Sequence, residues 1–225
     1  IDVVFNSDEE VLSPTSRPII ERLAKNARTV CVFEPARPGG EYVIRRKGDG
    51  KYIMKVTGRA AHAGAQPEEG RSAIGEIAHK IVALHALTDY TAGTTVNVGV
   101  VHGGERSNVV AESAYAEIDV RVRDVEAADQ LDKQIRAIAK NKTISDTTCE
   151  LTGGVQFPPM VPTPVSKRLF EAIQAAGRTL GLKLQGIATG GGSDGNHTAQ
   201  FAPTLDGMGP QGSGAHSDRE YMEVT

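Results

Sequence analysis

Tryptophan is absent from this 225-residue sequence, and aromatic residues make up only 4% of it. With 24% charged residues, and neither repeats nor low-complexity tracts, it still has the composition of an ordinary globular chain. A basic excess is also lacking. The formal net charge is -3 and the isoelectric point about 6.1, so there is no electrostatic footprint for nucleic acid. No apolar stretch approaches the roughly 20 residues that a membrane span needs, so neither nucleic acid nor membrane is expected as a partner. Cysteine occurs twice, at Cys31 and Cys149. The two are far apart in strand-like runs and are expected to be buried free thiols, as suits a reducing compartment. An initiating methionine and a signal peptide are lacking too. The chain opens inside a strand-like run and stops soon after His216, and it therefore reads as an excerpt of a longer protein.

What is present begins with an acidic cluster. Ile1-Asp2-Val3-Val4-Phe5 reads as a buried strand of a parallel sheet, and Asn6-Ser7-Asp8-Glu9-Glu10 follows it directly. Ligands and catalytic groups gather at the carboxyl ends of strands in open α/β sheets. Carboxylates there can hold a cation, and a spare one can serve as general base. The plainer reading is that Asp8 and Glu9 complement the amino end of the next helix. The pattern recurs, however. Thr29 to Phe33 is a second strand-like run ending in Glu34-Pro35, and Thr204 to Gly209 leads into a loop carrying His216-Ser217-Asp218. Glu9, Glu10, Glu34 and His216 thus come from three strand ends, and such a set is metal-site chemistry. Neighbouring Glu9 and Glu10 point to different sides, so one can ligate while the other takes a proton from an activated water.

In chain order, Ile19, Ile20, Leu23, Ala24 and Ala27 predict a helix entered at Ser13-Pro14. It would link two parallel strands by a right-handed crossover. Pro35 to Gly40 is a break, Glu41 to Arg46 a strand, and Arg45 to Gly50 a linker. A different texture then begins. Lys51 to Thr57 alternates with Tyr52, Met54 and Val56 on one face, and Arg71 to Leu87 is helical with Ile74, Ile77, Ile81 and Leu84 as its stripe. Thr94 to Val101 is a strand. Tyr115 to Arg123 alternates, with Ile118, Val120 and Val122 inward. Val125 to Ala139 is helical, and Asp146 to Leu151 is a short strand. This βαββαβ order is ferredoxin-like. Gly153 to Pro164 reads as a return linker. A helix follows over Val165 to Leu180, with Leu169, Ile173, Ala176 and Leu180 as its stripe, then a strand over Leu182 to Ala188 and the turn Gly190-Gly191-Gly192. The fold class is α/β with an inserted ferredoxin-like domain: residues 1–49 and 155–225 form a discontinuous domain and residues 50–154 the insertion. The insertion has an unprotected sheet edge, which predicts a homodimer through it.

Gly190 to Gly192 lacks the lysine and spacing of a phosphate loop, leaving close backbone approach to a substrate or simple turn geometry. His62, flanked by small residues in Gly58-Arg59-Ala60-Ala61-His62-Ala63-Gly64, suits either a group reaching into a site or a surface loop. His79, His85, His102 and His197 read as helix-face or loop residues.

Together these stretches, with Ser107-Asn108-Val109-Val110 and Thr189 to Asp194, resemble the zinc-dependent exopeptidase family of glutamate carboxypeptidases, carnosinases, aminoacylases and succinyl-diaminopimelate desuccinylases. The likeness runs over essentially the whole chain and is greatest to the glutamate carboxypeptidases. It implies a metallohydrolase that cleaves an amide or peptide bond next to a carboxylate, on a small peptide or N-acyl amino acid. Glu9 would be the general base, Glu10 and His216 ligands of one zinc, and Glu34 a ligand of the other, with two zinc ions per subunit. The insertion would be a dimerising lid. His62 would reach the neighbouring subunit's site to stabilise the oxyanion, Asn108 and Arg121 would contact the substrate carboxylate, and Gly191 and Gly192 would lie against the substrate.

Two departures stand out. The family's His-x-Asp motif, upstream of the glutamate pair, has no counterpart here. The arginine expected before Pro-Pro is Phe157, ahead of Pro158-Pro159. The excerpt alone is therefore expected to bind zinc weakly and to be silent as a catalyst, with apolar surface left open beside Ile1 to Phe5. The alternative is an inactive excerpt that serves only as a dimerisation module, or an aminoacylase, dipeptidase or desuccinylase of the same family.

Overall fold

Asp8 decides how the chain enters its first helix. In the computed structural model, which describes residues 1–37 and 39–224, its carboxylate accepts hydrogen bonds from Thr15 N at 2.8 Å, Thr15 Oγ1 at 2.6 Å and Ser16 Oγ at 2.5 Å. These bonds fix the two residues that lead into the helix. Helix α1 (Arg17–Ala24) follows, with a proline in its first turn and Ile20 and Ala24 buried. The plainer reading of the acidic cluster is therefore right for Asp8. Ile1 to Phe5, by contrast, forms no strand, and Ile1, Val3, Val4 and Phe5 are exposed. A strand is defined by its hydrogen-bonded neighbours, and among the described residues none pairs with this run.

The chain divides into two compact units, Ile1–Gly48 with Phe157–Thr225, and Asp49–Gln156. In the first, β1 (Val30–Cys31) runs parallel to β8 (Thr204–Leu205). Likewise β2 (Glu41–Arg46) runs parallel to β7 (Gln185–Thr189). The expected pairing of Ile1 to Phe5 with the second strand is replaced by the β1–β8 pair. Of the break expected over Pro35 to Gly40, Pro38 lies outside the described residues. Helix α4 (Pro164–Thr179) starts with a capping box between Thr163 and Ser166. It is followed by Gly181 at φ 75°, the left-handed position where glycine is favoured. Its buried side is not the expected stripe. Gly177 is buried and Leu169 and Ile173 half-buried, while Ala176 and Leu180 are exposed. Leu184 and Phe170 pack against Gly177 and Gly186 and turn the helix away from the ideal face. The helix α5 (Asp194–Thr198) and the hairpin of β9 (Gly212–Ser213) and β10 (Tyr221–Met222) complete the unit. Val43, Phe157, Met160, Ala202 and Leu205 form its centre.

The second unit is a four-stranded sheet in the order β4-β5-β3-β6, built from β3 (Gly48–Thr57), β4 (Thr95–Gly103), β5 (Ser113–Val122) and β6 (Thr148–Phe157). Helices α2 (Ala73–His85) and α3 (Val125–Lys140) complete the βαββαβ order. Tyr52, Met54, Val56, Ile118, Val120 and Val122 are buried against both helices, as the alternation predicts. The alternate positions of β3 and β5 are polar apart from Ile53 and the ring of Tyr115. Lys51 pairs with Glu117, and Arg121 pairs with Asp49 and Asp119.

Two expected linkers are strands instead. Arg45 to Gly50 joins β2 to β3 almost without interruption, and Gly153 to Phe157 extends β6. At Gly153, φ is 99° and a Cβ would lie 2.1 Å from the Lys51 carbonyl oxygen. Glycine there marks a close approach of backbones rather than a break.

The stripe of α2 is also rotated from the expected one. Ala73, Glu76, Ile77, Lys80 and Leu84 are buried, whereas Ile74 is exposed. Lys80 Nζ pairs with Glu76 at 2.9 Å. It also donates to the carbonyls of Ile138, Ala139 and Asn141, capping the end of α3. Glu76 in turn accepts from Thr143 N and Ile144 N. Both charges are satisfied, so a charged pair occupies positions that a hydrophobicity pattern gives to solvent. Both cysteines are free thiols, but Cys31 is exposed and Cys149 half-buried, because β1 is too short and too near the surface to enclose the first. Among the described residues no helix is long and apolar enough to cross a membrane.

Candidate active site

After Asn6 the first unit makes one tight turn. Glu9–Val11 is a single 3-10 turn. It is closed by Leu12 N donating to Glu9 O at 2.8 Å and Ser13 N to Asp8 O at 2.8 Å. Leu12 and Ser13 hold φ 73° and 51°, a left-handed pair that non-glycine residues adopt only when the surroundings impose it. The turn separates three acids. Asp8 is spent on the helix entrance, and the Ser16 and Thr15 hydrogen bonds hold its carboxyl down to about 2. Glu9 is half-buried. Burial first, then the charges of Glu34, Glu10 and Asp194, push its carboxyl up to about 7 against the pull of Arg46. Glu10 is exposed, and its Oε2 lies 3.7 Å from His216 Nδ1.

Glu34 is carried by a segment that runs alongside residues 205–211. Val32 N donates to Leu205 O, Gly209 N to Glu34 O and Ala36 N to Pro210 O, each at 2.9 to 3.0 Å. A Cβ at Gly209 would lie 2.4 Å from the Phe33 carbonyl oxygen, so only glycine permits this contact. Burial, then the charge of Asp206, raises the Glu34 carboxyl, with Arg46 opposing. His216 sits at the turn of the β9–β10 hairpin, at φ 63°, in a turn closed by Ser217 N and Oγ on Gly214 O. The four side chains named for this site therefore lie in one unit. Glu9 senses Glu34 and Glu10, and Glu10 meets His216.

Behind them lies a buried polar network that hydrophobicity did not signal. Arg46 Nε donates to Asp206 Oδ2 at 2.6 Å, with side chains 5% and 0% exposed. Asp206 also accepts from Ser193 Oγ and Gly207 N, each at 2.5 Å. Arg46 Nη1 donates to the carbonyls of Gly191 and Gly192 at 3.0 and 3.2 Å. Asn196 Nδ2 donates to Lys47 O and Pro158 O. The glycine turn is thus held by an arginine on its carbonyls. A Cβ at Gly192 would press on the Phe157 ring at 2.9 Å, whereas at Gly191 it would meet only Arg46 at 4.0 Å. Packing explains Gly192 and leaves Gly191 open. The signals available in sequence were Arg46 inside a strand and Asp206 directly after one.

His197, read as a helix-face or loop residue, lies in α5 but is buried. It packs on Phe157 with ring centroids 4.5 Å apart. Neither ring nitrogen has a hydrogen-bond partner among the described residues. Burial, then the charge of Arg17, pushes its pKa from 6.5 down to about 4, with Asp194 and Glu21 opposing. The unfolded chain therefore takes up a proton near pH 6.5 that the folded chain refuses until about pH 4. Stability is full above pH 6.5 and falls as pH drops towards 4. His197→Phe is expected to flatten the fall of the thermal midpoint over that window. An equal slope in variant and wild type would contradict it.

In the second unit, His62 and Asn108 lie side by side. Ala63 N donates to Asn108 O at 2.9 Å, Val110 N to Ala61 O at 2.9 Å, and His62 bridges Val109. Gly58 allows the adjoining Arg59–Arg71 bridge, since a Cβ there would lie 2.0 Å from the Arg71 carbonyl oxygen. His62 Nδ1 accepts from Gly64 N and Ala65 N, both at 3.1 Å. The ring proton is therefore on Nε2, which faces outward as a donor. Arg121 is not brought to this pair. It lies opposite Thr95, at the other end of the β4–β5 hairpin, about 24 Å along the strand from the end nearest Asn108. Two carboxylates, Asp49 and Asp119, already hold its guanidinium. One protomer cannot place Asn108 and Arg121 on the same carboxylate.

Carboxylates and an imidazole are the donor types of zinc sites, and Glu9, Glu34 and Asp194 gather negative charge that a cation would relieve. Among the described residues no three such groups converge closely enough to hold an ion by themselves. Residues 44–147 match the peptidase dimerisation domain. The chain is 31% identical to carboxypeptidase G2 of a Pseudomonas species over 232 aligned residues, covering all of this chain and 55% of that one. It is 36% identical to a p-aminobenzoyl-glutamate hydrolase homolog of Haemophilus influenzae over 96 residues, 42% of this chain and 23% of the relative. In structure it is similar to the aminopeptidase PepT of Bacillus cereus, with a TM-score of 0.76 at 23% identity, over 96% of this chain and 57% of that one. The chain spans about half the length of carboxypeptidase G2 and of the aminopeptidase. It carries a peptidase dimerisation domain and is homologous to carboxypeptidase G2 and aminobenzoyl-glutamate hydrolase.

Proposed function

We propose that the full-length protein is a zinc-dependent hydrolase of an amide or peptide bond adjacent to a carboxylate, as in the glutamate carboxypeptidases. The observation that carries this reading is the gathering of Glu9, Glu10, Glu34 and His216 in one unit, with His216 Nδ1 3.7 Å from Glu10 Oε2. Peptidases of this family are generally zinc-dependent. In this reading Glu10 and His216 serve one ion and Glu34 a second, with further ligands from the His-x-Asp motif that the resemblance implies. Zinc, when bound, polarises the attacking water and the scissile carbonyl. Glu9, raised by burial and then by its acidic neighbours, is suited to take the proton from that water and return it to the leaving amine. His62, with its proton on Nε2, supplies a donor for the oxyanion in the neighbouring subunit's site. Asn108 beside it addresses the substrate, and the open Gly191 allows close approach of the substrate chain. Arg121, apart from Asn108 within one protomer and paired with Asp49 and Asp119, would contact the substrate carboxylate separately. Residues 1–49 and 155–225 act as the catalytic domain, and residues 50–154 as the lid.

The test is a hydrolysis screen of N-acyl amino acids, dipeptides and acyl-glutamates on the full-length protein with and without zinc. Zinc-dependent release of an amino acid from at least one class is expected. A metal-free protein that releases none would favour the second reading, in which the dimerisation domain is the working part. The homodimer is common to both readings. The sheet order leaves β4 and β6 as edges, and an edge pairs readily with its twin. Sedimentation of Asp49–Gln156 alone is expected to show a dimer, and a clean monomer at high concentration would contradict it.

A further inference from the structure

Asp194 is given no base or ligand role in the chemistry just described, where only its charge near Glu9 enters, yet its hydrogen bonds close the loop that carries that chemistry. Its Oδ2 accepts from Asn6 Nδ2 at 2.5 Å and its Oδ1 from Ser13 Oγ at 2.6 Å. Asn6 and Ser13 are the two ends of the turn that holds Glu9 and Glu10. They also bond to each other, Asn6 Nδ2 to Ser13 Oγ, at 2.9 Å. Asn6 Oδ1 accepts from Asp8 N at 2.9 Å, and Ser13 is fully buried. One carboxylate therefore ties both ends of an eight-residue loop containing two left-handed non-glycine residues. Such backbone persists only where its surroundings over-determine it.

The base of this tie is rigid. Ser193, before Asp194, is buried and bonded to Asp206 and Gly195 N. Asn196, two residues after it, is fixed on Lys47 O and Pro158 O. The buried Arg46–Asp206 pair fixes Ser193 in turn. Among the described residues, Asp194 is the side chain whose hydrogen bonds carry the network under the glycine turn to the acidic loop.

We infer that Asp194 is a positioning residue, whose carboxylate holds the Asn6–Ser13 loop so that Glu9 and Glu10 keep separate directions. The inference rests on the reading of Glu9 as base and Glu10 as ligand. A carboxylate is needed because both partners donate to it. An asparagine at 194 can accept from one and must turn its amide N–H groups towards the other. The reciprocal exchange Asn6→Asp with Asp194→Asn restores the 6–194 pairing, with the amide now donating from residue 194 and its oxygen accepting from Ser13, while the carboxylate at 6 still accepts from Asp8 N and only the direct Asn6–Ser13 bond is given up.

The test uses the full-length protein in three forms: wild type, Asp194→Asn, and the double exchange. Hydrogen exchange at the Leu12 and Ser13 amides is expected to rise about tenfold in Asp194→Asn, with β5 amides unchanged. Zinc affinity, measured by chelator competition, is expected to fall at least about tenfold, as is usual when a ligand loses its support. Turnover should fall through kcat, with KM near wild type, and the double exchange should recover all three. Unchanged exchange in Asp194→Asn overturns the inference. So does raised exchange with undiminished zinc affinity, since the loop would then be loosened without consequence. A wild-type protein that binds no zinc overturns the hydrolase reading instead, and the exchange arm still decides whether Asp194 holds the loop.

Discussion

Glu9→Gln is expected to lower turnover of the full-length protein by about 10²- to 10⁴-fold, on the order of 3–5 kcal/mol of barrier, while leaving zinc in place. The substitution keeps shape and volume but removes the group that exchanges a proton. Of the three acids in the stretch, Glu9 alone fits this role. Asp8 is held ionised by Thr15 and Ser16 at a helix entrance. Glu10 is exposed and turned towards His216. Glu9 is half-buried among Glu34, Glu10 and Asp194, which make it basic enough to accept a proton. Metal content is expected to stay at the wild-type level, because the proposed ligands are untouched. Steady-state kinetics with elemental analysis of the same samples gives the answer. Near-normal turnover with metal retained would remove Glu9 from the mechanism, and loss of metal would make it a ligand.

Asp206→Asn is expected to destabilise the unit formed by Ile1–Gly48 and Phe157–Thr225 by about 3–5 kcal/mol, because it strands the Arg46 guanidinium in a buried setting. Arg46 and Asp206 are 5% and 0% exposed, so water cannot take over. The loss should also release Ser193 and the Gly191 and Gly192 carbonyls, which depend on the same two side chains. The double replacement Arg46→Met with Asp206→Leu should recover much of the stability, since replacing a whole buried pair by apolar groups is often neutral. It should not recover the order of the glycine turn. Denaturant unfolding of the three forms measures this. A single-variant change below about 1 kcal/mol, the range of exposed pairs, would contradict it.

The sequence alone determined the alternation of β3 and β5, the βαββαβ order and the family motifs. These depend on periods of 2 and 3.6 residues and on turn residues, which are local properties. Tertiary structure alone decided the rest. Ile1 to Phe5 has the composition of a strand, but strand identity belongs to the partner, and among the described residues it has none. Arg45 to Gly50 and Gly153 look like linkers because glycine is ambiguous between a break and a close approach, and the Lys51 carbonyl resolves that. Glu76, Lys80, Arg46 and Asp206 look like surface residues, and only their mutual contacts make burial tolerable. Asp8, Glu9 and Glu10 are equivalent carboxylates in sequence. One tight turn, tied at both ends by Asp194, gives them three environments, and a difference in environment is what separates a helix cap from a base and a ligand.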